Sequence, residues 1–175
     1  MCGIVGVFSF AANAEGQVDQ AVRMRDAIKH RGPDDAGVWQ STCGRVVFGH
    51  RRLSIVDLSP AGHQPMPNET ETIWVTFNGE IYNHADYRDE LLAKGHTFRS
   101  RSDTDAILHL YEEHGPAVVD KLDGMFAFGI WDAPRERLLL ARDRLGKKPL
   151  FYRVANGRLL FGWEIKALLA HNETP

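Results

Sequence analysis

The chain has 175 residues, of which 43% are hydrophobic, a length and apolar content sufficient for one well-cored domain without disulfides or a structural metal. Its 21 basic and 23 acidic residues give a formal charge of −2, which argues against nucleic acid or an anionic membrane as a partner. No apolar run reaches the roughly 18 residues of a membrane span and no stretch is of low complexity, so the composition is that of a soluble globular domain.

The first element is a strand: Ile4 to Phe10 is a β-branched and aromatic run closed by polar residues. The apolar stretch to Ala12, followed by Ala12-Asn13-Ala14, imitates a signal-peptide cleavage region. No basic leader precedes it, however, and the first Arg is Arg23, so a secretory signal is not expected. Two cysteines are far too few for a secreted disulfide scaffold, and a reducing, cytoplasmic location is expected. The Asn-x-Thr sequons at Asn68 and Asn172 therefore carry little weight.

Val18, Ala21, Val22, Arg25 and Ile28 recur at helical spacing, and Arg31-Gly32-Pro33-Asp34 ends that helix. Val38 to Gln40, Val46 to His50 and Ile73 to Phe77 read as strands, with a long Pro- and Asn-containing loop from Leu58 to Thr72. Asn83 is placed to cap a second helix running through Ala93, with Tyr87, Leu91 and Leu92 on one side. Ser102-Asp103-Thr104-Asp105 is capping-box-like and opens a third helix with Ile107, Leu108 and Tyr111 inward. Met125 to Trp131, Leu138 to Ala141, Leu150 to Arg153 and Leu159 to Gly162 are strands separated by turn signals, and Lys166 to Leu169 is a short helical stretch.

Phe126 to Trp131 does not alternate apolar with polar, as in a strand covered on both faces. Hairpin-spaced strands covered on both faces require more than two layers. The predicted fold is α+β, a four-layer αββα sandwich of two antiparallel sheets.

Eight histidines invite a metal reading. The best local pattern, His109 to His114, separates its imidazoles by five residues, about 140° round a helix, so they share no face. No Cys-x-x-Cys and no phosphate-binding Gly-rich loop occurs, and no metal site is expected.

Cys2 is the sharper feature. Removal of Met1 would leave a residue carrying both a thiol and a free α-amine, whose ordinary pKa of about 7.7–8.0 suits it to accept the proton of a thiol near 8.5. By position alone, a small buried thiol at a strand start is the competing reading. Cys43, beside Gly44 in a polar turn, is read only as a thiol.

Met1-Cys2-Gly3-Ile4-Val5-Gly6, His30-Arg31-Gly32-Pro33-Asp34, His50 to Asp57, Asn78-Gly79-Glu80-Ile81-Tyr82-Asn83 and Ser102-Asp103-Thr104 occur in that order. So do Gly124 to Phe128, Arg142-Asp143-Arg144-Leu145-Gly146 and Glu164 to Leu168. These blocks resemble those of class II glutamine amidotransferases over nearly the whole chain, and are most similar to the N-terminal domain of glutamine-hydrolysing asparagine synthetase. The resemblance implies an N-terminal nucleophile hydrolase fold, in agreement with the four-layer stack.

It further implies that Cys2 attacks the side-chain amide of L-glutamine, releasing ammonia and leaving a γ-glutamyl thioester, with its own amine as base. The Asn78 amide and the Gly79 N–H would form the oxyanion hole, in a turn that glycine permits. Apart from the family, Asn78-Gly79 reads equally as a plain hairpin turn. Arg52 would grip the substrate α-carboxylate and Asp103 the α-ammonium, with Leu53, Ser54, Ile55, Val56 and Glu80 lining the pocket and Arg31 behind the nucleophile. Without the family, Asp103 is an acid placed favourably in the first turn of a helix.

No cofactor is implied for this half. ATP and Mg2+ belong to a synthetase domain whose Ser-Gly-Gly-x-Asp-Ser loop does not occur in these residues. The expected organisation is a glutaminase domain over 1–170, with 171–175 starting a linker to that partner domain. The oligomeric state is left open, a homodimer included. Trp163 stands where the family has Ser, and Arg101 where a small residue is common; neither touches the implied chemistry, and any effect is expected on the face towards a neighbouring domain. Three rivals stand beside the main reading: a glutaminase feeding a different acceptor, a Cys–His hydrolase using His50 or His63, and an inactive glutamine-binding module.

Overall fold

The computed structural model describes residues 2–11, 16–54 and 59–171. Among them, nine strands form two antiparallel sheets. The first sheet contains β1 (Gly3–Ser9), β2 (Asp35–Gln40), β3 (Val46–Arg52), β8 (Phe151–Ala155) and β9 (Arg158–Gly162), in the order β2-β3-β1-β9-β8. The second contains β4 (Met66–Pro67), β5 (Ile73–Ile81), β6 (Gly124–Asp132) and β7 (Arg137–Arg142), in chain order. Helices α1 (Gln17–Ala27) and α4 (Ile165–Leu169) join the core of the first sheet. Helix α3 (Asp103–His114), with the shorter α2 (Arg88–Ala93), covers the outer face of the second. The expected αββα sandwich is what the chain forms.

The non-alternating run in β6 has the predicted cause. Ala127 and Trp131 pack in the core shared with the first sheet, whereas Phe126, Phe128 and Ile130 pack beneath α3. Between the sheets the Phe161 ring lies against two bare backbones, since a Cβ on Gly6 would fall 2.1 Å from it and one on Gly129 2.8 Å. Trp39 of β2 stacks on Trp74 of β5, with ring centroids 4.4 Å apart. The Asn156-Gly157 turn between β8 and β9 takes positive φ at both residues, as a two-residue hairpin loop requires.

Three local expectations need correction. Strand β5 continues through Ile81, so Asn78-Gly79 lies in a ladder, paired with Ala127 and Phe126, and not in a turn. Glycine is required there for close approach: a Cβ on Gly79 would lie 2.2 Å from the Met125 carbonyl. Asn83 does not cap a helix; its side chain donates to Lys121 O and accepts from Asp123 N, and Leu92 is exposed. The capping box at α3 does not form either, because Asp105 reaches back to the N–H and hydroxyl of Ser100, and Ser102 hydrogen-bonds Ser100 instead of a helix N–H.

Asn68 is buried, with its side chain bonded to Thr72 N, Ile73 N and Glu112, which removes it as a sequon in the folded chain. Asn172, the Ala12-Asn13-Ala14 pattern and residues 172–175 of the expected linker lie outside the described residues. Among the described residues no helix is long and apolar enough to cross a membrane.

Candidate active site at the start of the first strand

β1 lies at the centre of its sheet, so the residue just before it, Cys2, emerges in mid-sheet and not at an edge. Its antiparallel neighbour β3 ends alongside with Arg52, and β5 of the second sheet carries Asn78, Gly79 and Glu80 just before its last residue, Ile81. The N-terminus of α3 contributes Asp103. These converge on one cleft lined by Cys2, Arg52, Leu53, Asn78, Gly79, Glu80 and Asp103, which are seven of the residues expected there.

The Cys2 thiol is held by the backbone of Leu53, whose N–H donates to Sγ at 3.4 Å and whose carbonyl accepts from it at 3.6 Å. Burial pushes the thiol pKa up, opposed by the Leu53 N–H and the nearby charge of Arg52. Arg52 is itself buried and donates from Nη1 to the Ser59 carbonyl at 2.9 Å, which fixes its fork at the cleft wall. Asp103 Oδ2 accepts the N–H of Ile81 at 2.9 Å, and burial raises its carboxyl pKa against that bond and the influence of His84.

Asn78 is 2% exposed, and its Nδ2 is buried without a hydrogen-bond partner among the described residues. A buried N–H2 left unsatisfied costs about 1–3 kcal/mol, so its place on the cleft calls for an acceptor that the described residues do not supply.

Not every expected residue reaches the cleft. Ser54 donates its N–H to Asp34 Oδ2 at 2.8 Å and does not line it, and Ile55 and Val56 lie outside the described residues. Arg31 is ion-paired with Glu164 and lies over the Trp163 ring at 5.9 Å. That ring is buried and also carries Lys148 Nζ at 5.9 Å on the cleft side, so Trp163 backs the site and does not face outward as expected. Arg101 is exposed.

Sequence reasoning missed Gly62, Gln64, Phe77, Ser102, Thr104 and Lys148 among the lining residues. Lys148 carried a faint signal, two residues beyond the Arg142 to Gly146 block. The Asp143 carboxylate accepts the N–H groups of Lys147 and Lys148 at 2.9 Å each, folding that segment against the cleft. Burial lowers the Lys148 pKa, partly offset by Glu80 and Asp143.

The histidines do not serve Cys2. His50 is buried, its Nε2 at 3.1 Å from the Phe77 carbonyl, with its pKa brought down to about 4 by burial. His63 is engaged by Asp35 at 2.6 Å. With the thiol held by Leu53, a Cys–His pair has no geometric support.

The family of glutamine amidotransferase domains matches residues 1–175. Glutamine-hydrolysing asparagine synthetase 3 of Bacillus subtilis is 46% identical over 173 residues, covering 98% of this chain and 28% of that protein. Asparagine synthetase 3 of Arabidopsis thaliana is 43% identical over 170 residues, covering 96% of this chain and 28% of its own length. The chain thus spans little more than a quarter of these relatives. The solved structure of glutamine phosphoribosylpyrophosphate amidotransferase from B. subtilis superposes with a TM-score of 0.82 at 20% identity, over 99% of this chain and 44% of that one. At that identity the likeness shows the fold alone, the αββα sandwich.

Proposed function

The chain belongs to the glutamine amidotransferase domain family, and we propose that it hydrolyses the side-chain amide of L-glutamine at the Cys2 cleft, as the ammonia-producing half of an asparagine synthetase. The observation that carries this reading is the orphaned Asn78 Nδ2, a buried donor lining the same cleft as Cys2.

The steps follow from the chemistry of the residues. With Met1 removed, the Cys2 α-amine takes the thiol proton and Sγ attacks the amide carbon, so the carbonyl oxygen becomes an oxyanion held by Asn78 Nδ2 and the Gly79 N–H. The amine returns the proton to the departing nitrogen, the C–N bond breaks and ammonia leaves. Water then adds to the γ-glutamyl thioester, the C–S bond breaks, and glutamate and the thiol are regenerated. Arg52 and Asp103 hold the α-carboxylate and α-ammonium, which fixes the amide against the nucleophile. Nucleophile, base and donors are all the chain's own, so this half uses no cofactor.

Residues 1–170 are assigned to this glutaminase domain and 171–175 to the start of a linker. The partner is a synthetase domain in cis, where ATP and Mg2+ would activate aspartate. A cytoplasmic setting, which keeps Cys2 reduced, suits this chemistry.

The test is glutamate and ammonia release from glutamine by the purified chain, with the acyl-enzyme trapped by acid quench and located by peptide mass spectrometry. Turnover with a thioester at Cys2, lost in Cys2→Ala, supports the reading. Turnover that survives Cys2→Ala overturns it. Glutamine binding without turnover, in protein shown to lack Met1, makes the domain an inactive binding module.

A further inference from the structure

Away from the cleft, the fold brings Glu69, His96, His109 and Glu112 together so that one potential ligand atom from each lies within 4.8 Å of the others. His109 and Glu112 are one turn apart on α3, His96 lies in the turn after α2, and Glu69 follows β4. The partner of His109 is therefore not His114, the residue that local spacing offered, but His96, drawn in by the packing of α2 on α3.

We propose that these four side chains form a binding site for a divalent zinc-class cation. His109 Nδ1 stands 3.0 Å from Glu112 Oε2 and 3.6 Å from Glu69 Oε1. His96 Nδ1 stands 3.4 Å and 3.6 Å from the same two oxygens. Tetrahedral N and O ligands about 2.0–2.2 Å from zinc are separated by about 3.3–3.6 Å, so four of the six edges already have nearly the right length. Two imidazoles and two carboxylates are a donor set suited to zinc, and the two negative charges match the ion.

The surrounding bonds orient three of the ligands, while the Nε2 of the fourth, His109, is buried without a hydrogen-bond partner among the described residues. Glu112 Oε1 accepts from Asn68 Nδ2 at 2.7 Å, which turns Oε2 into the cluster, and Glu69 Oε1 is fixed by the Thr97 N–H at 2.7 Å. His96 Nε2 lies 3.1 Å from Glu113 Oε1, and Glu113 is paired with Lys94 at 2.8 Å. A cation between His96 Nδ1 and the two carboxylates would be coordinated by all three, with Glu113 at Nε2 as the carboxylate that orients the ligating imidazole.

The ligands tie the turn after β4 and the turn after α2 to α3, the helix whose first residues, Asp103 and Thr104, line the cleft. Four protein ligands leave no open position, the pattern of a structural and not a catalytic zinc site.

The experiment is calorimetric titration of chelator-stripped protein with zinc sulfate, with bound metal counted by elemental mass spectrometry. It is run on the parent and on a Cys2→Ala/Cys43→Ser form, so that thiol binding is separated. One equivalent bound with a Kd below about 1 μM in both forms, and a raised Tm, is expected. His96→Ala and Glu69→Gln, both at turns and partly exposed, should each weaken binding by at least about a hundredfold. Cobalt in the parent should give the intense visible bands of a tetrahedral N/O site, a reading independent of any variant's folding. Absence of stoichiometric zinc, an octahedral cobalt spectrum, or binding that survives both substitutions would overturn the proposal.

Discussion

The Asp103 carboxylate accepts the N–H of Ile81 at 2.9 Å, and so ties the first residue of α3 to the end of the strand that carries Asn78 and Gly79. One acid thereby positions the wall of the cleft and presents charge to it. Burial raises its pKa, so the ionised form is maintained at a cost that a bound ammonium group would offset.

Replacement of Asp103 by Asn should separate those two roles. The amide oxygen can still accept from Ile81, while the charge is lost, and kcat/KM for glutamine should fall about ten- to a hundredfold, the equivalent of losing roughly 1.5–3 kcal/mol of charge-assisted bonding. A raised folded-state pKa means that Asp103 favours the folded state below its unfolded value, and that this contribution is lost as pH rises through the folded value. Asp103→Asn should accordingly hold or raise Tm at neutral pH. Glutamine affinity in a Cys2→Ala background should decline on acidification, beginning above the ordinary Asp value of about 3.9, and the variant should lack that inflection. Unchanged glutamine kinetics in a folded variant would leave Asp103 with only its bond to Ile81.

Asn78→Ala should divide binding from chemistry. A donor aimed at the tetrahedral oxygen contributes more to the transition state than to the bound amide, so kcat should drop by roughly 10² to 10³ with little change in glutamine affinity measured in the Cys2→Ala background. Removal of an unsatisfied buried amide should not lower Tm. A loss that appears wholly as weaker binding would remove Asn78 from the oxyanion hole.

Intact mass should show active protein without Met1, because an acylated Cys2 nitrogen is no base. Reaction of Cys2 with iodoacetamide should rise with pH to a midpoint above that of an exposed thiol, as burial requires, and glutamine should slow it. Full glutaminase activity in protein that retains Met1 would exclude the amine as base.

Gly6→Ala should destabilise the sandwich without touching the cleft. The new methyl group meets the Phe161 ring between the sheets, and overpacking of this kind costs about 1–3 kcal/mol, or about 2–4 °C of Tm per kcal/mol in a domain of this size. Phe161→Leu in the same chain should recover part of the loss, as a thermal-melt double-mutant cycle would record. Additive losses would mean that the two sites do not share the space.

Strands and helices were legible because their signal is local. The apolar run of β6 and the helical spacing of α1 are short-range patterns set by which faces are buried, and the errors fell at element ends and at short β4, which lies inside the stretch read as a loop. Asn78-Gly79 resembled a turn because Asn-Gly carries the same local signal in either setting. Only the pairing of β5 with Phe126 shows that its glycine makes room for a strand.

The sequence by itself determined the four-layer class, the position of Cys2 at the start of β1, and the ordered blocks that hold Arg52, Asn78, Gly79 and Asp103. Tertiary structure alone decided that Gln64, Thr104 and Lys148 join them, that Ser54 does not, and that Trp163 lies behind the site. It also decided that His109 meets His96, Glu69 and Glu112. The physical reason is that periodicity encodes which face of an element is buried, whereas contacts between residues far apart in the chain depend on how two sheets and their helices pack, and no local pattern carries that distance.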